Sequence, residues 1–210
     1  MRAYLTEFIG TFFLVLTVGL TSVSGTPYAP IAIGSALMIM VYMGGHVSGG
    51  HYNPAVSLAC CIRGALPWQA FAPYIVSQLL GAIAAAFVVY VITGMPFGPA
   101  PAVDASMTAS LLIEVLFTFA LALVVLNVAT ASKTAGNSYF GLAIGFTIMV
   151  GAFAGGGISG GAFNPAVGLG PNITQAMLGA GTLGHTWLYI VGPFVGGAVA
   201  AFAFRAQQST

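Results

Sequence analysis

Charge is scarce in this sequence. Asp, Glu, Lys and Arg make up 3% of its 210 residues against 59% apolar residues, and the mean hydropathy is +1.01. So little charge cannot cover the surface of a water-soluble domain of this length. The cations are Arg2, Arg63, Lys133 and Arg205, scattered singly. They form no basic patch, which excludes nucleic acid as a partner. Carboxylates are rarer still: Glu7, Asp104 and Glu114. An ion-coupled transporter needs more intramembrane carboxylates than these. Cysteine is limited to Cys60 and Cys61, adjacent in an apolar run. They have no metal-ligand spacing and are badly placed to pair, so they read as small buried hydrophobes. Histidine is confined to His46, His51 and His185. Ser48 and His51 are close, but no Gly-x-Ser-x-Gly elbow surrounds that serine, so a serine hydrolase is not supported. The sequence predicts no enzyme, no metal and no cofactor. Tails and loops are too short for an adhesive protein.

What is abundant is apolar length. A spanning helix needs about 20 mostly apolar residues. Six stretches qualify, at about 4–24, 29–45, 68–93, 107–130, 139–155 and 185–205. The fold class is therefore an all-α membrane protein, integral and multi-pass. Glu7 comes too early, and the first run is too long, for a cleavable signal. Two shorter runs, about 53–62 and 164–171, cannot cross and predict half-helices. Irregular backbone at membrane depth is tolerated only where protein covers it or where it lines a wet cavity. A cavity is expected. Glycines spread along the spans suit close helix packing. Tyr4, Trp68, Tyr139 and Trp187 stand near span ends as expected interfacial anchors.

Each half-helix opens on a copy of one motif. Gly45-His-Val-Ser-Gly-Gly-His-Tyr-Asn-Pro-Ala-Val56 and Gly156-Gly-Ile-Ser-Gly-Gly-Ala-Phe-Asn-Pro-Ala-Val167 are identical at eight of twelve positions and lie about half a chain apart. Asn is a good N-cap, and Pro suits the first helical position. Asn53-Pro54-Ala55 and Asn164-Pro165-Ala166 therefore read as two helix starts, each carrying a partial positive charge and free N–H donors. The duplication extends upstream, where Glu7-x-x-x-Thr11-Phe12 matches Glu114-x-x-x-Thr118-Phe119. A carboxylate at that depth should face the bundle interior and be paired. The preferred reading is a brace for the loop of its own half, and the rival is a proton relay.

One domain over 1–210 is expected, with repeats at about 1–94 and 105–206. With six spans, all four cations fall on one side, which should be cytoplasmic together with both termini. The two half-helices then enter from opposite faces, as in an inverted internal repeat. Asn172-Ile173-Thr174 matches a glycosylation acceptor, weakly.

On the paired Ser-Gly-Gly-x-x-Asn-Pro-Ala motif, the two Glu-x-x-x-Thr-Phe helices and the six spans, the chain resembles the aquaporin (major intrinsic protein) family over about residues 3–205. The resemblance implies an aquaporin-like right-handed bundle of six transmembrane helices plus two re-entrant half-helices, one pore per protomer, and a homotetramer in membrane lipid. It implies a channel for water and small neutral solutes, with Asn53 and Asn164 meeting near the membrane centre. The second motif of the family usually continues with Arg, and here that position is Val167. Counted without gaps, the implied outer filter is Ile33, Ala152, Gly161 and Val167. A slip of one residue would put Phe153 in place of Ala152. Such a filter lacks charge and ring donors and predicts a wider, less polar pore that admits glycerol, urea, ammonia or peroxide beside water. His46 and His51 either hydrogen-bond within their loop or line a cytoplasmic vestibule.

Overall fold

The computed structural model describes residues 1–208, and these form eight α-helices. They are α1 (Arg2–Ser24), α2 (Ala29–Ser48), α3 (Pro54–Arg63), α4 (Trp68–Thr93), α5 (Met107–Val125), α6 (Phe140–Ser159), α7 (Pro165–Met177) and α8 (Leu188–Gln208). A π turn, Leu126–Thr130, prolongs α5. Six helices are long and apolar enough to cross a membrane: α1, α2, α4, α5 with its π turn, α6 and α8. The short helices α3 and α7 are embedded among them.

The halves pack alike. Helix α1 lies on α4 as α5 lies on α8, and α2 crosses α6 between them. Small residues let these backbones touch. Gly34 and Gly145 face each other at the α2–α6 crossing, where a Cβ on either would strike the other's carbonyl. Gly81 meets the Phe8 carbonyl, and Gly196 meets that of Val115, at the two matching crossings. Outward faces carry exposed Leu80, Phe87, Leu116, Phe146, Phe153 and Phe202, a surface suited to lipid and not to water.

Several boundaries differ from the apolar runs. Helices α2 and α6 continue through their first glycines to Ser48 and Ser159. They end only where Gly49 and Gly160 take left-handed backbone and donate their N–H to the Gly45 and Gly156 carbonyls. Helix α7 runs through Pro171 to Met177. Asn172 and Thr174 donate side-chain hydrogen bonds to the carbonyls of Gly168 and Gly170, one turn back along the helix on either side of the proline. Asn172 is also buried and tied to the Pro99 carbonyl, which removes it as a glycosylation acceptor. Helix α8 starts at Leu188, after a loop. Of the expected anchors, Trp68, Tyr139 and Trp187 are exposed, whereas Tyr4 packs edge-on against Tyr74.

Candidate functional site

The loops before α3 and α7 are bent in the same way. Tyr52 and Phe163, just ahead of the asparagines, both have φ of 49°, a left-handed conformation that costs a non-glycine residue about 1–2 kcal/mol. Something must hold them there. In the first half it is Glu7, fully buried on α1. Ser48 Oγ and the His51 N–H donate to Glu7 Oε1 at 2.6 and 3.0 Å. The Tyr52 N–H and Gln78 Nε2 donate to Oε2 at 2.7 and 2.8 Å. In the second half Glu114 accepts from Ser159 Oγ at 2.7 Å, from the Ala162 N–H at 3.0 Å and from the Phe163 N–H at 2.7 Å. With three or four donors converging on one buried carboxyl group, each Glu fixes a turn that glycine alone would leave loose.

Each asparagine then does two things. Its Oδ1 caps its own helix: Asn53 accepts from the Ala55 N–H at 2.8 Å, and Asn164 from the Ala166 N–H at 2.9 Å. Its Nδ2 reaches the opposite loop: Asn53 donates to the Phe163 carbonyl at 2.9 Å, and Asn164 to the Tyr52 carbonyl at 2.8 Å. The starts of α3 and α7 are thereby tied tip to tip, their positive ends facing one point. A carboxamide has two N–H donors. One is spent on the opposite loop and the other remains.

A cavity of about 210 Å³ passes these tips, with Asn53, Asn164, Val56 and Val167 in its wall. Ile33, Ala152 and Gly161 line the same cavity. Phe153 does not line it; its side chain points out of the bundle and is 57% exposed. A second cavity, of about 490 Å³, lies beside Arg63, Tyr74 and Thr130. The two share His51 and Val125. His51 is buried, and its Nδ1 lies 3.1 Å from Ser57 Oγ. His46 lines neither cavity: it is exposed on the last turn of α2, which outruns the apolar stretch. The carbonyls of Gly49, Gly50 and His51, and of Gly160, Gly161 and Ala162, accept no hydrogen bond from any described residue. Gly50, His51, Gly160, Gly161 and Ala162 among them line the smaller cavity.

Cations gather at the end with the larger cavity. Arg63 donates to the Thr130 carbonyl at 3.2 Å and stacks on Phe204, 5.0 Å from the ring centre. Arg205 donates to the Ile62 carbonyl. Both contacts clasp the C-terminal end of α3.

Three supporting residues do not stand out in the sequence. Tyr74 and Tyr189 donate to the carbonyls of Ser48 and Ser159, closing the helix ends ahead of the bent loops. Gln78 bridges Glu7 and Ser57. The two tyrosines escape a gapless comparison of the halves because α7 and the loop after it are longer than their counterparts.

Comparisons with known proteins agree with this architecture. The family model described as "Major intrinsic protein" matches residues 1–204. The chain is 37% identical over 220 aligned positions to "Aquaporin NIP1-4" of Oryza sativa subsp. japonica, covering 100% of this chain and 78% of that protein. It is 36% identical over 221 positions to "Glycerol uptake facilitator protein-like 6" of Lactiplantibacillus plantarum, covering 100% and 99%. The X-ray structure of the aquaglyceroporin from Plasmodium falciparum superposes with a TM-score of 0.86 at 25% identity, over 97% of this chain and 94% of that one. With six spans, two embedded half-helices and a cavity running past their tips, the chain belongs to the major intrinsic protein family and is a passive membrane channel, not an enzyme.

Proposed function

We propose that this channel conducts water together with small uncharged solutes such as glycerol, urea, ammonia or peroxide. One observation carries the reading. Ile33, Ala152, Gly161 and Val167 wall a single lumen with no charge and no ring donor among them. Glycerol is in the printed name of the Lactiplantibacillus relative, and the Plasmodium structure is an aquaglyceroporin, which supports the wider solute range.

The mechanism follows from the tips. A neutral solute exchanges hydrogen bonds to water for the free N–H of Asn53 or Asn164 and for the loop carbonyls. A cation or proton meets two helix-start dipoles in a poorly solvated space, where like-signed charge is repelled far more than in water. Glu7 and Glu114 act as braces, their oxygens occupied by loop donors and so unsuited to relaying protons. The cations at one end favour the cytoplasm there, with both termini on that side of a plasma membrane. Four protomers assemble, each with its own lumen.

Stopped-flow light scattering on reconstituted liposomes tests the reading. Water, glycerol and urea should all cross faster than in protein-free vesicles. Val167→Arg should lower glycerol permeability roughly tenfold, the equivalent of about 1.4 kcal/mol in barrier height. Glycerol and urea permeabilities equal to those of bare lipid would reduce the protein to a strict water channel with an unusual filter.

A further inference from the structure

Helix α6 turns Ile144, Ile148, Ala152 and Gly156 toward the lumen, every fourth residue and hence one face. After the two isoleucines the side chains shrink along the helix, to alanine and then to glycine. Gly156 ends the series, and two ordinary reasons for a glycine do not apply to it. Its backbone is helical without positive φ, so conformation does not demand it. Packing does not demand it either. A Cβ at Gly156 would meet nothing within 4 Å, whereas at Gly155 it would strike Ile113 at 2.5 Å and at Gly151 it would press on Phe117 at 3.1 Å. Glycine is a poor helix residue beside alanine, so this position gives up local stability with no gain in packing. The open space beside it is the lumen.

We infer that Gly156 is a further size-determining position of the conduit, one helical turn beyond Ala152, where the missing side chain admits solutes with a carbon skeleton. This rests on the channel reading above and adds a position that the four-residue filter does not contain. Gly157 is the natural control. It too has nothing within 4 Å of a Cβ, but it is exposed and lines neither cavity.

The test is a permeability series in liposomes. From wild type through Gly156→Ala and Gly156→Val to Gly156→Leu, the ratio of glycerol to water permeability should fall stepwise, by roughly tenfold at the last, about 1.4 kcal/mol in barrier height. Gly157→Leu should leave the ratio unchanged. An unchanged ratio in folded Gly156→Leu overturns the inference. A second readout does not depend on which solutes pass. In a Cys60→Ala/Cys61→Ala background, Gly156→Cys treated with a charged methanethiosulfonate should lose water permeability, and Gly157→Cys should not. Should wild type carry water alone, the solute range above fails while the thiol experiment still decides the position. Water flux untouched by reagent on Gly156→Cys, with labelling verified by mass, removes Gly156 from the lumen wall.

Discussion

At Glu7 four donors converge: Ser48, the N–H groups of His51 and Tyr52, and the Gln78 amide. At Glu114 the first three recur as Ser159, Ala162 and Phe163, but the fourth has no equivalent among the described residues. Counting from the paired Tyr74 and Tyr189, Pro193 stands where Gln78 does. The contrast continues outward. Gln78 also donates to Ser57, which bonds His51, and His51 lines both cavities. The matching positions in the second half are Ala162 and Gly168, which have no side-chain hydrogen-bonding groups. What the halves share, a carboxylate, a serine and two N–H groups, is what the bent backbone requires. What differs is the wall. One mouth has a polar lining that continues into the brace, and the other is mainly apolar, with Thr21 and Ser22 as its hydroxyl groups, and stepped back at Ala152 and Gly156.

The largest effect should come from removing a brace. Glu7→Ala and Glu114→Ala each leave at least three buried donors unmatched, at about 1–3 kcal/mol apiece. Both should fail to yield monodisperse folded protein on size exclusion; one tolerated loss would break the equivalence of the halves. Asn53→Ala and Asn164→Ala each lose a helix cap and a cross-loop bond, about 2 kcal/mol together. Thermal unfolding in detergent should show two closely similar drops.

Gln78→Leu probes the difference itself. It takes one donor from Glu7, which keeps three, and one from Ser57, which keeps His51 and the Asn53 carbonyl; it also removes the Gln78 Oε1, which is buried without a partner, so the net loss should be about 1 kcal/mol. A loss matching that of Glu7→Ala would mean the fourth donor is as essential as the shared three. The smallest effect should come from Thr11→Val and Thr118→Val. Both hydroxyls are buried with no partner at matching places on α1 and α5, so each variant should stay within about 0.5 kcal/mol of wild type.

Much of this was legible in the chain. Apolar length marked the six spans, and Asn-Pro-Ala after a glycine run marked both embedded helix starts. The spacing from Asn164 led to Ala152, and the structure turns that residue to the lumen while Phe153 faces outward. Helix ends were less readable. Gly45 and Gly156 look like stops, yet a helix tolerates a glycine and ends where left-handed backbone begins, at Gly49 and Gly160. Pro171 looks like a stop too, yet α7 runs through it to Met177. Tyr74, Tyr189 and Gln78 were invisible because their role is set by contacts between helices far apart in sequence. His46 misled because its nearness to the motif in sequence does not turn its side chain inward.

The central claim is that two asparagine-capped helix starts, tied tip to tip, flank a conduit open to neutral molecules and closed to charge. Water and proton permeability recorded on the same proteoliposomes, by light scattering and by an entrapped pH dye, tests it most directly. Water permeability should rise in proportion to the protein reconstituted, while proton leak stays at the level of bare lipid. Proton leak that climbs with protein content, or water permeability that does not, would contradict it.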